Sequence, residues 1–283
     1  MDVLRAKSAG FCMGVDLALR KLDQLLAENT GDTPIFTFGP IIHNPQVLDH
    51  YAALGVHRTE DPEVIDSSAI VLIRAHGVPR QMDERLAARG ISVADATCPK
   101  VKKAQRLIAG QAGKGSILLL YGEEAHPEVR GLLSHASHGA IVFNDLEEIR
   151  ALSLDPGDSY FLAAQTTQDE QGFEKIRDYL FSTLGREIPV LYTICDATQR
   201  RQEETIAIAK EVDYMVVVGG RDSGNTRRLV KVAQAQGVAC VHVETETELP
   251  LEKMRGKSRI GLTAGASTPK NIIDAVESII RAL

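Results

Sequence analysis

Three of the four cysteines in this chain share one local setting. Cys12 follows the strand-like Val3-Leu4-Arg5-Ala6 and precedes an amphipathic stretch through Leu17, Leu22 and Leu26. Cys98 follows Ile91, Val93 and Ala94 and precedes Pro99, which suits the first position of a helix because its missing N–H costs nothing there. Val101, Ala104, Leu107 and Ile108 then recur at helical spacing. Cys195 follows Pro189-Val190-Leu191-Tyr192-Thr193-Ile194 and precedes a helix through Ile206 and Ala209. At a helix entrance, peptide dipoles and free N–H groups favour a thiolate, the form that binds metals and attacks electrophiles. The fourth cysteine, Cys240, lies in the apolar Val238-Ala239-Cys240-Val241 and reads as a core residue.

Other chemically capable residues fall at the same kind of turn. Ile35-Phe36-Thr37-Phe38 leads to His43-Asn44-Pro45, and Ile70-Val71-Leu72-Ile73 leads to Ala75-His76-Gly77. Ile117-Leu118-Leu119-Leu120 leads to His126-Pro127-Glu128, and Tyr160-Phe161-Leu162-Ala163 to Gln165-Thr166-Thr167. Met215-Val216-Val217-Val218 enters Ser223-Gly224-Asn225-Thr226, and Ile260-Gly261-Leu262 enters Ala266-Ser267-Thr268-Pro269. The turns sort into three sets, Cys12, His43, His76; Cys98, His126, Thr166; and Cys195, Asn225, Ser267, each opening with a cysteine. Residue identity is not repeated between sets, so the repetition is architectural.

The elements that must position these turns alternate short apolar strands with amphipathic helices, which predicts an α/β fold with parallel strands. Ligands of such folds collect at the carboxyl ends of strands, where strands turn into helices. The expected architecture is three similar α/β domains, residues 1–96, 97–193 and 194–283, in a pseudo-threefold arrangement around a central cavity. Helix N-termini facing that cavity would suit phosphate.

Composition narrows the function classes. The chain has 283 residues, 44% of them hydrophobic and 25% charged, as in ordinary globular proteins. A net charge of -6 argues against a nucleic-acid binder, which gains affinity by neutralising phosphates with Lys and Arg. No window reaches the ~18 apolar residues of a membrane span. Asp2, Arg5, Lys7 and Asp16 interrupt anything like a signal peptide, so the expected location is the cytoplasm. Dispersed cysteines there point to catalysis, metal binding or burial rather than disulfides.

Three soft thiolates select zinc, copper(I) or iron–sulfur clusters. Structural zinc usually takes cysteines paired a few residues apart, and no such pair exists here. His126-Pro127-Glu128 matches half of a zinc deaminase signature, whose P-C-x-x-C half is missing. A cubane iron–sulfur cluster accepts widely separated cysteines, usually four. With three, one iron stays open to substrate, as at a catalytic metal with a vacant position.

The chain resembles the 4-hydroxy-3-methylbut-2-enyl diphosphate reductase family of the non-mevalonate isoprenoid route. The motifs that carry the resemblance are Gly10-Phe11-Cys12-Met13-Gly14-Val15, His43-Asn44, Ala75-His76-Gly77-Val78 and Asp95-Ala96-Thr97-Cys98-Pro99. They continue through His126-Pro127-Glu128-Val129, Gln165-Thr166-Thr167, Ile194-Cys195-Asp196-Ala197-Thr198, Ser223-Gly224-Asn225-Thr226 and Thr263-Ala264-Gly265-Ala266-Ser267. They span about residues 3 to 280, in the family's order. The family often has a second serine where this chain has Gly224, leaving a backbone N–H in place of a hydroxyl.

The resemblance implies a 4Fe–4S cluster on Cys12, Cys98 and Cys195. It also implies reductive removal of an allylic hydroxyl as water, giving isopentenyl and dimethylallyl diphosphate. Glu128 is then the proton donor or relay, Thr166 orients the hydroxyl, and His126 stands beside it. His43, His76, His126, Thr166, Ser223, Gly224, Asn225 and Ser267 are the expected substrate residues. Ser223, Asn225 and Ser267 could instead be helix caps, the three histidines satisfied polar residues, and Glu128 a dipole partner. Lys100, Lys102 and Lys103 with Arg106, Arg200 and Arg201 are the expected docking site for an acidic ferredoxin or flavodoxin. The chain is expected to act as a monomer or homodimer, with no nucleic-acid or membrane partner. A non-redox iron–sulfur hydro-lyase and a non-catalytic iron–sulfur sensor are the competing readings.

Overall fold

The computed structural model describes residues 1–29, 31 and 33–283. β1 (Asp2–Arg5) and α1 (Met13–Glu28) are followed by β2 (Ile35–Phe38), α2 (Pro45–Ala53) and β3 (His57–Thr59). Next come β4 (Ile70–Ile73), α3 (Arg80–Ala88), β5 (Ser92–Asp95) and α4 (Pro99–Ala112). The middle contains β6 (Ile117–Tyr121), α5 (Pro127–Leu133), β7 (Ala140–Phe143), α6 (Leu146–Arg150), β8 (Tyr160–Ala164) and α7 (Glu170–Leu184). The chain ends with α8 (Asp196–Ala209), β9 (Tyr214–Val218), α9 (Gly224–Gln234), β10 (Ala239–Val243), α10 (Leu251–Met254), β11 (Arg259–Ala264) and α11 (Lys270–Arg281). Among the described residues no helix is long and apolar enough to cross a membrane.

The chain divides into two compact units. The first comprises Met1–Asp16, Ile42–Tyr51 and Asp196–Leu283. Its sheet has the order β1-β11-β9-β10, with every pairing parallel. Every residue of β9 is buried, as expected for a parallel strand covered on both faces. On α11, Ile272, Ile273, Val276 and Ile280 recur at helical spacing and pack with Val3, Val216 and Leu262. Each such side chain removed from water contributes about 1.5–3 kcal/mol.

The second unit, Leu17–Ile41 and Ala52–Cys195, contains two further parallel sheets, β3-β2-β4-β5 and β7-β6-β8. On the open side of β8, Leu162 forms a single parallel bridge with Val190. The strand expected over Pro189–Ile194 is reduced to that bridge. Pro189 has no N–H to give, and Thr193 completes the pairing with its side chain. Its hydroxyl accepts the Ala164 N–H at 2.8 Å and donates to the Ala164 carbonyl at 2.6 Å.

Parallel strands alternating with helices match the expected α/β class, but the sheets are cut differently from the expected thirds. Residues 2–5 pair with β11, so the Cys12 strand lies in the sheet of the Asn225 and Ser267 turns. β1 covers the outer edge of β11 and buries Val3, which an isolated β1 could not do. The strand before Cys98 likewise pairs with β4, which leads to His76. The segment before Cys195 bridges β8, which leads to Thr166. Each cysteine therefore closes a repeat rather than opening one. The structural sets are His43, His76, Cys98; His126, Thr166, Cys195; and Asn225, Ser267, Cys12.

Candidate active site

The three cysteines are neither fully buried nor fully exposed. Each backbone N–H is fastened to the neighbouring strand's turn. Cys12 donates to the Ala266 carbonyl at 3.1 Å, Cys98 to the Ala75 carbonyl at 2.9 Å and Cys195 to the Thr166 carbonyl at 2.9 Å. Those carbonyls belong to Thr166 itself and to the residues just before Ser267 and His76. One backbone hydrogen bond thus ties each thiol to a candidate substrate residue. Cys98 occupies the N-cap of α4 with Pro99 behind it, and Cys195 directly precedes α8. The Cys12 sulfur accepts the Val15 N–H at 3.5 Å in the first turn of α1. Cys240 differs: burial pushes its thiol up to about 11, and it packs beside Met215 and Ala233.

In the second unit, Glu128 is the most constrained polar residue of the site. It is 1% exposed, yet both carboxylate oxygens are engaged by one residue. The Thr166 N–H donates to Oε1 at 2.6 Å and the Thr166 hydroxyl to Oε2 at 2.8 Å. Burial pushes the carboxyl above its ordinary value, and the two Thr166 bonds offset only part of this. Complementing the helix dipole does not require such burial. His126 caps α5, its Nδ1 accepting the Glu128 N–H at 3.2 Å, which leaves the proton of the neutral ring on Nε2. The His76 ring meets that of His126 edge-on, with centroids 5.2 Å apart. Gly77 makes the turn behind His76. Its φ is 74°, and a Cβ there would lie 3.1 Å from both Gln105 Nε2 and Thr97 Cγ2.

In the first unit, Ser223 is the N-cap of α9, and its hydroxyl accepts the Thr226 N–H at 3.3 Å. The capping role considered for Ser223 is therefore real, and Gly224 and Asn225 open the helix behind it. Asn225 is 5% exposed, and neither atom of its side-chain amide has a hydrogen-bond partner. A buried amide left wholly unpaired is costly, and a bound polar ligand relieves that cost. Ser267 is not a cap: α11 starts behind Pro269 without a side-chain cap. The Ser267 hydroxyl instead donates to the His43 carbonyl at 3.1 Å. Gly220 lies so close to that carbonyl that a Cβ would stand 2.6 Å from it. Asn44 holds the entrance of α2 through Oδ1, which accepts the Val47 N–H at 3.0 Å.

The expected docking residues differ in exposure and partners. Lys103 and Arg106 are exposed on α4, and Lys102 pairs with Asp95. Lys102, Arg106, Gln105, Thr97 and His135 line a cavity of about 470 Å³ beside the start of α4. Arg200 is exposed and pairs with Asp196 at 3.4 Å. Arg201 cannot be a docking residue. It is 4% exposed, and its guanidinium reaches the Gly10 carbonyl at 2.6 Å.

Sequence reasoning missed Arg201, Glu204 and Thr193 as supports of the cysteine turns. α8 offered one signal: its buried residues Thr198, Arg201, Gln202 and Thr205 are a polar stripe at helical spacing. Glu204 and Thr193 carried no signal, because their partners lie on segments distant in sequence.

A family profile described as LytB protein matches residues 3–281. A protein of Nitratidesulfovibrio vulgaris (strain DSM 19637 / Miyazaki F) named 4-hydroxy-3-methylbut-2-enyl diphosphate reductase is 58% identical, over 100% of both chains. The solved E-1-hydroxy-2-methyl-but-2-enyl-4-diphosphate reductase of Plasmodium falciparum is similar with a TM-score of 0.92 and 26% identity, covering 98% of this chain and 87% of that one. A solved (E)-4-hydroxy-3-methyl-but-2-enyl diphosphate reductase, described as the terminal enzyme of the non-mevalonate pathway, gives 0.69 at 38% identity over 100% of both chains. With strands, cysteine turns and paired Glu128 and Thr166 in place, and with a match along nearly its whole length, this chain belongs to the LytB protein family.

Proposed function

We infer that this chain reduces (E)-4-hydroxy-3-methylbut-2-enyl diphosphate to isopentenyl and dimethylallyl diphosphate. The allylic C–O bond breaks, a C–H bond forms, and two electrons and two protons are consumed as one water leaves. The observation that carries this reading is the threefold recurrence of a cysteine whose amide is bonded to the turn of a candidate substrate residue. The names of relatives matching the full chain support the same substrate.

The donor set fits an iron–sulfur cluster. Cys12, Cys98 and Cys195 are partly exposed and stand at equivalent strand-to-helix turns. They would hold a 4Fe–4S cluster with one iron left without a protein ligand. When bound, such a cluster supplies electrons and a Lewis-acidic iron.

The chain's own residues supply proton handling and anion binding. Burial keeps the Glu128 proton in place at pH values where an exposed glutamate is ionised. The Thr166 hydroxyl, already bonded to Glu128, is the hydroxyl through which that proton is relayed. His126 and His76 offer imidazole donors to the diphosphate. So do His43, the hydroxyls of Ser223 and Ser267, the backbone at Gly224 and the unpaired Asn225 amide.

The electron donor is an acidic one-electron carrier of the ferredoxin or flavodoxin type, docking over Lys102, Lys103 and Arg106 beside the Cys98 turn. The reaction takes place in the cytoplasm. Anaerobic assay with dithionite and a viologen dye, with and without the allylic diphosphate, tests the reading. Substrate-dependent oxidation of the dye is expected, and its absence in a cluster-replete sample overturns the assignment. Turnover without dye oxidation would mark a hydro-lyase instead.

A further inference from the structure

The loop that brings Cys12 to its turn is hydrogen-bonded by α8. Its ends are tied to the sheet, where the Ala6 N–H bonds Leu262 at 2.8 Å and the Cys12 N–H bonds Ala266 at 3.1 Å. Between these points the loop is gripped by α8. Glu204 accepts the Lys7 N–H at 2.6 Å, the Ser8 N–H at 2.9 Å and the Ser8 hydroxyl at 2.5 Å. One turn earlier, Arg201 donates Nη2 to the Gly10 carbonyl at 2.6 Å and Nη1 to the Ala197 carbonyl at 3.3 Å. Acceptor and donor thus stand three residues apart on one helix and hold opposite polarities of the same loop. Partial burial pushes the Glu204 carboxyl up, but the Ser8 and Lys7 bonds outweigh it and hold the group below its ordinary value.

We propose that α8 is a latch for the Cys12 loop: Glu204 and Arg201 fix residues 7–10 so that Cys12 is presented ready to ligate, and the buried Arg201 guanidinium favours the reduced state of the group that Cys12 holds. This rests on the reading of Cys12 as a cluster ligand. A loop fixed before metal binding spares the ligation step the entropy of ordering it. A cation removed from water acts on a nearby anionic thiolate–iron group more strongly than an exposed one. Gly10, which the guanidinium grips, is two residues from Cys12 and has a φ of 109°, a conformation open to glycine but not to most other residues. Glu204 and Arg201 are positioning residues, since they act on Cys12 through the loop that carries it.

The test compares full-length wild type with E204Q, R201K and R201M after anaerobic cluster reconstitution. Iron and sulfide per chain, iron release to a ferrous chelator and an EPR-monitored redox titration are measured. E204Q and R201M should release iron about tenfold faster than wild type. R201M should in addition be tenfold harder to reduce, about 59 mV for one electron. R201K keeps the charge without the planar fork, so it should keep the potential while releasing iron faster. Wild-type release and wild-type potential in a folded R201M overturn the latch. Should R201M fail to fold, wild-type release rates in E204Q and R201K do the same. A wild type that takes up no cluster, or a C12S variant that keeps all its iron, refutes the ligand reading instead.

Discussion

Thr166 binds Glu128 twice, donating its N–H to one carboxylate oxygen at 2.6 Å and its hydroxyl to the other at 2.8 Å. The Thr166 carbonyl also accepts the Cys195 N–H, so one residue links the buried acid to a cysteine turn. T166V removes only the hydroxyl bond. We predict a fall in kcat of about 10²–10⁴-fold, the usual range for lost general-acid function, with iron content unchanged. Steady-state dye-oxidation kinetics beside iron analysis check this, and wild-type kcat in T166V would sink the relay.

The raised Glu128 value fixes the sign of a pH effect. A carboxyl whose folded value lies above its unfolded value stabilises the fold fully at pH below the unfolded value, and that contribution fades as pH rises through the folded value. Wild type should therefore lose stability relative to E128Q as pH rises from 4.5 through the raised value. Denaturant unfolding of both proteins across that range measures the difference. A constant difference would mean that the carboxyl is not held protonated. E128Q should also lack the alkaline limb of the wild-type activity profile.

Cysteine substitutions separate ligands from core. C12S, C98S and C195S should each lose most of their iron, because a hydroxyl is a hard and poorly ionised replacement for a thiolate. C240S should keep it. With its thiol pushed to about 11, Cys240 is only about 10⁻³ ionised at pH 8 and should be the slowest to react with an alkylating reagent in apo-protein. Mass-spectrometric mapping of the alkylated sites checks the order.

The unpaired Asn225 amide gives a binding prediction. N225A should lower kcat/KM about 10–100-fold, the loss of a hydrogen bond to a charged group. N225D should lower it further, since a carboxylate there repels the diphosphate. Stability should not fall in N225A, because the wild-type amide is buried without a partner. Kinetics with thermal unfolding distinguish this from a structural asparagine.

Charge reversal on α4 tests the electron-donor surface. K103E/R106E should slow turnover with an acidic protein donor and flatten its dependence on ionic strength. Turnover with dithionite and a small dye should not change. Equal effects on both donors would place these residues elsewhere in the mechanism.

Much of the fold was legible because the central strands are continuous apolar runs ending in recognisable turns. β9, Tyr214–Val218, is the clearest case. β3, β7 and β10 were not read as strands. They are sheet edges, partly exposed along their length, and show neither an unbroken run nor strict alternation. The cysteine turns were visible because Pro99 and the helical spacing behind Cys98 are local signals. Their assignment to repeats was not visible. Whether Cys12 goes with His43 or with Ser267 depends on β1 pairing with β11, a contact between the two ends of the chain. Arg201 looked like surface charge for the same reason, since its partner, the Gly10 carbonyl, is 191 residues away.

That pairing of β1 with β11 also sets a schedule. The segment bearing Cys12 is made long before its sheet partner, Arg259–Ala264. Until that partner strand exists β1 has no edge to join, so the Cys12 turn cannot be fastened early in folding. A chain cut before residue 259 should therefore hold a metal group at Cys12 less firmly than the uncut chain.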